Sequence, residues 1–292
     1  MNTSGQTKLK LLAIVGPTAS GKTALAIELA KRLNGEIISA DSRAVYKGLD
    51  IGTAKPSASE QELVKHYGLD LVEPEQRYSA SQFVEYAKKI VNSLQAENKL
   101  PIVVGGTGLY VDALLYDFKM PKPNPELRTK YSNFSDEQLI EAIKAKGLGL
   151  PNNYKNRLHL VNTLERDGQQ ATKRAGLPAS YRIIGLNPGK ATLDERISQR
   201  AKHMLVSGVI EEANGLINRH GSEAHALQTG IYKQLILNIK QNKPIDECLT
   251  DFIKSDKQLA KRQMTWFKRN KDIKWFENAQ QVLADDSFKL NY

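Results

Sequence analysis

Short apolar runs alternate with segments of helical spacing along the first third of the chain. Leu11–Val15 is typical of a buried strand, and Thr23–Leu33 repeats its apolar residues three or four positions apart, as an amphipathic helix does. Glu36–Ala40 and Ile102–Val104 are the next strand candidates, with a long helical pattern between them. This alternation predicts an α/β protein with a parallel-sheet core and flanking helices.

The pattern changes after Tyr116, where the segment DFKMPKPNPELRTK contains three prolines and no strand candidate. Residues 119–178 have a helical pattern, and they contain eleven lysines and arginines against six acids. A strand candidate returns at Ser180–Pro188, and a long helix follows from Leu193. We therefore predict a core of residues 1–118 and 179–292 with C-terminal helices, and an inserted α-helical subdomain at 119–178.

The charge balance adds a class of partner to this picture. The chain has 42 lysines and arginines against 32 acids, a net charge of +10. Such a surface favours polyanions, and nucleic-acid binding stands as an alternative beside a merely basic soluble protein. The single Cys248 excludes an internal disulfide framework and a multi-cysteine zinc site.

No targeting or membrane signal stands out in the sequence. No apolar stretch is long enough to span a bilayer, and the polar start of the chain does not resemble a secretory signal. We therefore expect a cytoplasmic protein with no membrane partner. The sequence gives no handle on oligomeric state, and a monomer is the default expectation.

The octet GPTASGKT, Gly16–Thr23, matches the phosphate-binding pattern G-x-x-x-x-G-K-[ST] at every fixed position. It follows a strand candidate and opens a helix candidate, which is the context that the P-loop motif requires. The loop backbone and the helix N-terminus can hold phosphate, Lys22 adds a positive charge, and the Thr23 hydroxyl can bind Mg²⁺. The predicted phosphate-binding residues are Gly16, Pro17, Thr18, Ala19, Ser20, Gly21, Lys22 and Thr23.

Two further loops follow strand candidates and should lie at the same edge of the sheet. Asp41 could hold Mg²⁺, act as a general base or accept a hydrogen bond from a substrate amine, although Asp also commonly caps helices. The other loop, Gly105–Thr107, lacks the acid that a standard ATPase places there, and Asp112 lies a helical turn further on. A motor-type ATPase is thus disfavoured. A small-molecule kinase or another phosphate-handling transferase remains.

The C-terminal half offers further basic candidates. Arg196 and Arg200 share a helix face and could reach phosphate, or they could pair with neighbouring acids. The segment KQLAKRQMTWFKRNKDIKW is basic, and its Trp266 and Phe267 could stack on bases or lie buried in an amphipathic helix. The five histidines lack metal-ligand spacing.

Four segments resemble the successive signatures of the tRNA dimethylallyltransferase family, the bacterial tRNA isopentenyltransferases. These segments are GPTASGKTALAIELA, DSRAVYKGLDIGTAKP, VGGTGLYVDALL and AKRQMTWFKR. The resemblance covers about Leu11 to Trp275. Its most specific block is GLDIGTAKP after Asp-Ser, because phosphate loops occur in many families.

That resemblance implies a P-loop core with a helical insertion that grips the tRNA anticodon stem-loop. The implied reaction transfers a dimethylallyl group from dimethylallyl diphosphate to N6 of the adenosine 3′-adjacent to the anticodon, releases diphosphate and uses Mg²⁺. The implied catalytic residues are Asp41 as base, Thr107 in the channel between the substrates, and Lys22, Thr23 and Arg196 at the leaving diphosphate. The implied tRNA-binding residues are Asp41, Ser42, Arg43, Ala44, Thr107, Arg128, Arg157, Gln228, Lys233, Lys268 and Arg269.

The chain departs from the family pattern in parts expected to face RNA. Ala44 stands where the family often has Gln, and His159 and Asn162 take the place of two arginines. The usual QAIGYKE is replaced by QTGIYKQ, Gln228–Gln234. The identity of the tRNA contacts is therefore the part of the resemblance that the sequence supports least.

Three alternative functions remain beside tRNA prenyl transfer. The first is a P-loop kinase of a small metabolite. The second is an adenylate-type isopentenyltransferase that acts on free nucleotides, which the helical insertion and the basic C-terminal segment disfavour. The third is an RNA-binding module with a relic phosphate loop, which the retained Gly21, Lys22, Thr23 and Asp41 disfavour.

Overall fold

The computed structural model describes residues 8–119, 121, 124–169 and 172–285. Its sheet has six strands, all parallel, in the order β3-β2-β4-β1-β5-β6. The strands are β1 Leu11–Val15, β2 Gly35–Ser39, β3 His66–Tyr67, β4 Leu100–Gly105, β5 Tyr181–Leu186 and β6 Ile273–Phe276. The α/β fold with a parallel sheet is therefore confirmed.

Helices connect these strands and extend the C-terminal half. Those before the insertion are α1 Lys22–Arg32, α2 Ala58–Leu63, α3 Ala80–Ala96 and α4 Gly108–Leu115. The insertion contributes α5 Pro125–Ser132, α6 Asp136–Ala145 and α7 Arg157–Glu165. The remaining helices are α8 Lys190–Val206, α9 Val209–His220, α10 Gly230–Gln241, α11 Ile245–Phe267 and α12 Ala279–Ala284, with a 3₁₀ turn at His225–Gln228. None of the described helices has the length and apolar character needed to cross a membrane.

The central strand β1 organises the sheet. All five of its residues are buried, as expected for a strand covered by helices on both faces. It pairs with β4 on one side and β5 on the other, so that Val15 lies opposite both Gly105 and Gly185. The strands that follow β1 in the chain, β2 to β4, lie on one side of it, and the later strands β5 and β6 lie on the other. The carboxyl end of β1 is therefore a topological switch point, where such sheets bind ligands.

The chain divides into two compact units. One comprises Met1–Leu115 and Gly176–Tyr292, and the other Tyr116–Ala175. The predicted boundaries, after residues 118 and 178, lie three residues later in each case. In the larger unit one core packs α1 against the sheet, and a second joins α8–α11 to Val45 and Leu49. The smaller unit has its own core, which includes Leu139, Ile143, Leu160 and Leu164.

Two strands were not predicted, and both lie at the edges of the sheet. An edge strand pairs on one side only, so it can be short and can alternate apolar with polar residues. β3 has only two residues, and β6 includes the exposed Lys274. β6 also lies in the basic C-terminal segment, whose charge masked the strand pattern.

Candidate active site

The phosphate loop runs from the end of β1 into α1, and its backbone restricts which residues it can hold. A Cβ atom added to Gly16 would lie 2.4 Å from the carbonyl oxygen of Leu186, which is too close for any side chain. Gly21 precedes α1 with φ 92°, and Ala19 has φ 62°, both in the left-handed region. The fixed glycines of the motif are thus required by sterics at one position and by backbone conformation at the other.

Lys22 folds back over this loop. Its Nζ atom donates to the carbonyl oxygen of Pro17 at 2.6 Å and lies 3.4 Å from the Ser20 hydroxyl. Burial lowers the pKa of the Lys22 ammonium to about 8, although the charge of Asp41 opposes this shift. Lys22 and Asp41 are therefore within electrostatic reach of each other.

The loops after β2 and β4 are joined by hydrogen bonds. The Thr107 backbone N–H donates to the Ala40 carbonyl at 3.2 Å, and the Ser42 N–H donates to Thr107 Oγ1 at 3.0 Å. A Cβ atom on Gly105 would lie 2.1 Å from the Ala40 oxygen, so glycine is required for this close approach. Asp41 Oδ1 accepts from the Arg43 N–H at 2.8 Å within a turn that no regular helix continues, so Asp41 is not a helix cap.

These three loops meet at one cavity of about 550 Å³, a volume suited to a small ligand. Thr23, Asp41 and Thr107 all line it, as the sequence predicted from the strand ends. The predicted residues that line it are Thr18, Ala19, Ser20, Gly21, Lys22, Thr23, Asp41, Ser42, Arg43, Ala44 and Thr107. Gly16 and Pro17 belong to the loop but are not among the lining residues.

Two helices from the C-terminal half complete the cavity wall. Gln263 on α11 accepts a hydrogen bond from the Thr18 N–H at 2.8 Å and donates to the Gly106 carbonyl at 3.1 Å. Arg200 on α8 donates from Nη1 to Thr18 Oγ1 at 2.6 Å, and from Nη2 to the carboxylate of Asp256. Sequence reasoning missed Gln263 and Asp256, because a contact between residues so far apart in the chain leaves no local pattern.

Arg196 occupies a different position from its neighbour Arg200. Its Nη1 atom lies 3.5 Å from the Ser20 carbonyl oxygen, and a Cβ atom on Gly21 would be 3.8 Å away. Arg196 thus contacts the phosphate-loop backbone, whereas Arg200 lines the cavity. The predicted catalytic role of Arg196 stays a prediction.

The predicted tRNA-binding residues outside the cavity are spread over both units. In the larger unit, Lys233 on α10 and the pair Lys268 and Arg269 after α11 are exposed. Gln228 is half-buried and donates to the Ser222 carbonyl at 2.6 Å. These positions are compatible with a solvent-facing ligand, and their RNA contacts stay predictions.

The insertion's two predicted arginines are held by internal contacts. Arg128 donates to the buried carboxylate of Glu165 at 2.6 Å and to Asn162 Oδ1 at 3.3 Å. Arg157 pairs with Asp136 at 2.7 Å. Asn162, one of the departures from the family pattern, is therefore part of the Arg128 environment, and any RNA phosphate would have to share these arginines with their protein partners.

Asp112 and the aromatic residues of α11 have structural contacts. The Trp266 indole N–H donates to Asp112 Oδ2 at 2.7 Å, and a Cβ on Gly108 would lie 2.2 Å from the indole. Phe267 is fully buried, whereas Trp266 remains 37% exposed. The interpretation of α11 as an amphipathic helix therefore holds for Phe267 and only partly for Trp266.

The sequence block GLDIGTAKP forms a loop that is held by one carboxylate. Glu212 on α9 accepts hydrogen bonds from the backbone N–H groups of Asp50, Ile51 and Gly52 at 2.9–3.1 Å. It also accepts from the Tyr232 hydroxyl at 2.6 Å, and burial together with this carboxylate raises the pKa of Tyr232. Glu212 therefore fixes the cavity-lining segment around Gly52.

The cavity suits a magnesium ion that arrives with a phosphate ligand. Within the described residues no cluster of three or more His, Cys, Asp or Glu side chains could hold a metal ion by itself. Mg²⁺ is usually bound through one or two protein oxygens together with substrate phosphates and water. Thr23 lines the cavity at the start of α1 and offers a hydroxyl oxygen, a hard ligand that fits a phosphate-bound Mg²⁺.

The fold and the site define a class: an α/β protein with a phosphate loop at the switch point of a parallel sheet. Comparison with known proteins then identifies the family. The family model for IPP transferase matches residues 44–270. The chain belongs to this family.

Individual relatives cover nearly the whole chain. The tRNA dimethylallyltransferase of Oceanobacillus iheyensis is 33% identical, over 97% of this chain and 96% of its own length. A crystal structure of the tRNA isopentenylpyrophosphate transferase from Bacillus halodurans has a TM-score of 0.70 at 34% identity and covers 92% of this chain and 90% of its own. A eukaryotic dimethylallyltransferase structure, at 22% identity and TM-score 0.75, shares the fold.

The Lys22 environment predicts a pH dependence of anion binding. Because burial lowers the Lys22 pKa to about 8, the ammonium loses its proton as the pH rises through this value, and affinity for inorganic diphosphate should fall above pH 8. Calorimetric titration between about pH 6.5 and 9.5 measures this. Lys22→Arg keeps its charge throughout and corrects for ionisation of the diphosphate itself. Identical pH profiles for the two proteins would contradict this role of Lys22.

The Glu212 contacts predict a specific loss of stability. Glu212→Ala leaves the N–H groups of Asp50 and Ile51 and the Tyr232 hydroxyl without their acceptor, while the Gly52 N–H keeps the Tyr232 oxygen, so we expect a destabilisation of about 2–4 kcal/mol. Thermal unfolding should show a melting temperature lower by roughly 5–10 °C. Glu211→Ala removes the adjacent, exposed acid and should change little. Equal effects of the two substitutions would argue against the role of Glu212.

Proposed function

We propose that this protein transfers a dimethylallyl group from dimethylallyl diphosphate to N6 of the adenosine 3′-adjacent to the anticodon in tRNA, with release of diphosphate. The observation that carries this proposal is that a phosphate loop, Asp41 and Thr107 line one cavity, while the strand end that bears the acid of an ATPase has Gly-Gly-Thr instead. Membership of the IPP transferase family supports it.

The phosphate loop would stabilise the leaving group. As the allylic C–O bond breaks, negative charge grows on the diphosphate, and donors that are already oriented toward it lower the barrier. The loop N–H groups, Lys22 and Arg200 line the cavity and would supply these donors. Thr23 would hold a Mg²⁺ ion together with the diphosphate oxygens, and the ion would supply further neutralisation of the diphosphate charge when bound.

Asp41 would accept the proton from the nucleophile. The lone pair of an adenine amine is delocalised into the ring, so attack on carbon requires loss of an N6 proton to a nearby base. The N6–C bond forms, the C–O bond breaks, and the proton passes to the Asp41 carboxylate. The hydrogen bond from the Arg43 N–H to Oδ1 orients this carboxylate.

The adenosine would reach Asp41 from a tRNA loop. A base inside a stacked loop must be extruded before its amine can enter a pocket. The insertion's eleven lysines and arginines against six acids suit the phosphate backbone, and we assign it the grip on the anticodon stem-loop. A soluble cytoplasmic monomer would suffice for this reaction.

A prenylation assay tests the function directly. With labelled dimethylallyl diphosphate, Mg²⁺ and an anticodon stem-loop carrying adenosine beside the anticodon, we expect one prenylated adenosine for each diphosphate released. Asp41→Asn should lower turnover by roughly 10²–10⁴-fold, the range for a lost acid–base group, while RNA affinity stays within about threefold.

Controls separate this reaction from the alternatives. A stem-loop with guanosine at the target position should give no product. Prenylation of free AMP but not of the stem-loop would indicate the adenylate-type activity, and ATP turnover with a small alcohol would indicate a kinase. Asp41→Asn turnover close to wild type would show that another group is the base.

The exposed pair after α11 predicts a salt-dependent loss of RNA binding. Replacing Lys268 and Arg269 by Ala should weaken stem-loop binding more at low than at high salt, because each phosphate contact releases counterions. Fluorescence anisotropy over a salt series measures this. The matched control replaces Lys8 and Lys31 by Ala. These two exposed lysines lie at the amino-end edge of the sheet, and their loss should have little effect on stem-loop binding. Parallel salt slopes for wild type and the Lys268/Arg269 variant would refute this contact.

A further inference from the structure

One carboxylate is buried in the cavity wall away from the three strand-end loops. Asp256 lies on α11, and its side chain is only 2% exposed. A buried carboxylate is costly unless positive partners compensate it. Arg200 Nη2 donates to its Oδ2, and Arg43 Nη1 lies 3.8 Å from its Oδ1. The acid therefore stands between two arginines that both line the cavity.

Arg200 connects this carboxylate to the phosphate loop. Its Nη1 atom donates to Thr18 Oγ1 at 2.6 Å while Nη2 donates to Asp256. Because a guanidinium is a rigid planar fork, two contacts on different nitrogens fix its orientation. The Nε atom of Arg200 is buried without a hydrogen-bond partner among the described residues. The Nε atom has no access to a ligand, whereas each Nη atom keeps a second hydrogen, and the fixed guanidinium lines the cavity that holds the phosphate loop.

Arg43 brings the other side of the cavity to the same carboxylate. Its backbone N–H donates to Asp41 at 2.8 Å, and its side chain reaches toward Asp256 Oδ1, which accepts no hydrogen bond from the described residues. A Cβ atom on Gly230 would lie 3.0 Å from Arg43 Nη1, so glycine at this position leaves room for the guanidinium. Gly230 is one of the departures in QTGIYKQ, and its place in this contact was not predicted.

We propose that Asp256 is a positioning residue for the donor diphosphate: it holds the Arg200 guanidinium against Thr18 so that the remaining N–H donors face the leaving oxygens. This role rests on the proposed function. The negative charge of Asp256 by itself lowers the affinity for an anion, because a carboxylate beside an anion site repels the anion. Positioning of Arg200 raises that affinity. Weaker anion binding after removal of this charge would therefore report lost positioning.

Binding of inorganic diphosphate tests this role without turnover. In calorimetric titrations with Mg²⁺, Asp256→Asn should bind diphosphate about tenfold more weakly than wild type, as expected for a lost charge-assisted hydrogen bond. Asp251→Asn removes the same charge from an exposed position on the same helix and should stay within about twofold of wild type. Unchanged or tighter binding by Asp256→Asn would overturn the proposed role.

A double-mutant cycle shows whether Asp256 acts through Arg200. Arg200→Lys keeps the charge but loses the fork, and adding Asp256→Asn to it should weaken diphosphate binding by less than about twofold further. An equal effect of Asp256→Asn in both backgrounds would overturn the positioning role. If Asp256→Asn does not fold, Asp256→Glu keeps the charge and displaces the carboxylate, and wild-type affinity for that variant would also overturn it.

Turnover separates failure of this role from failure of the proposed function. At saturating donor, Asp256→Asn should lower kcat about tenfold or more, with the KM for the stem-loop within about threefold, because a fixed donor matters most as charge develops. If wild type prenylates the stem-loop and Asp256→Asn is equally active, the positioning role is refuted and the proposed function is not. If wild type does not prenylate the stem-loop but the double-mutant cycle still couples Asp256 to Arg200 in diphosphate binding, the proposed function is refuted. Asp256 would then remain a positioning residue for another diphosphate ligand.

Discussion

The insertion of β4 between β2 and β1 is the constraint on which the cavity depends. This order makes the loops after the three strands neighbours, although residues 40–99 separate β2 from β4 in the chain. The approach is close enough that Gly105 cannot carry a side chain, because its Cβ would lie 2.1 Å from the Ala40 oxygen. Asp41, the next residue, can share a cavity with the phosphate loop only because this packing holds.

A second layer of contacts, from helices that follow the sheet strands, fixes the phosphate loop itself. Ala19 adopts a left-handed conformation that a non-glycine residue disfavours, and tertiary contacts have to compensate. Gln263 supplies one of them, since it joins the Thr18 N–H to the Gly106 carbonyl and so couples two of the loops. Arg200 supplies another through the Thr18 hydroxyl. The loop geometry is thus a property of the whole larger unit.

The sequence predicted what depends on local pattern and failed where partners are distant. The strand β1 and the loop Gly16–Thr23 were predicted because apolar runs and glycine spacing are local features, and Asp41 followed from its place after a strand. Asp256 interrupts the buried apolar face that Cys248, Phe252 and Ala260 form on α11, but its two arginine partners come from distant parts of the chain and leave no local pattern. The edge strand β6 was missed for a related reason, because its pairing with β5 is invisible in a basic segment.

The position of the acid bears on what kind of group can be transferred. Neighbouring strands lie about 4.8 Å apart, so the ends of β1 and β2, two strand steps away from each other, are separated by roughly 10 Å. An acid at the end of β4 would stand directly beside the phosphate loop, as phosphoryl transfer with a phosphate-bound metal requires. Here β4 ends at Gly105 and Gly106 follows it, whereas the acid comes after β2 as Asp41. Under the proposed function, this separation between the phosphate loop and Asp41 has room for a small carbon group between a leaving oxygen and an attacking amine.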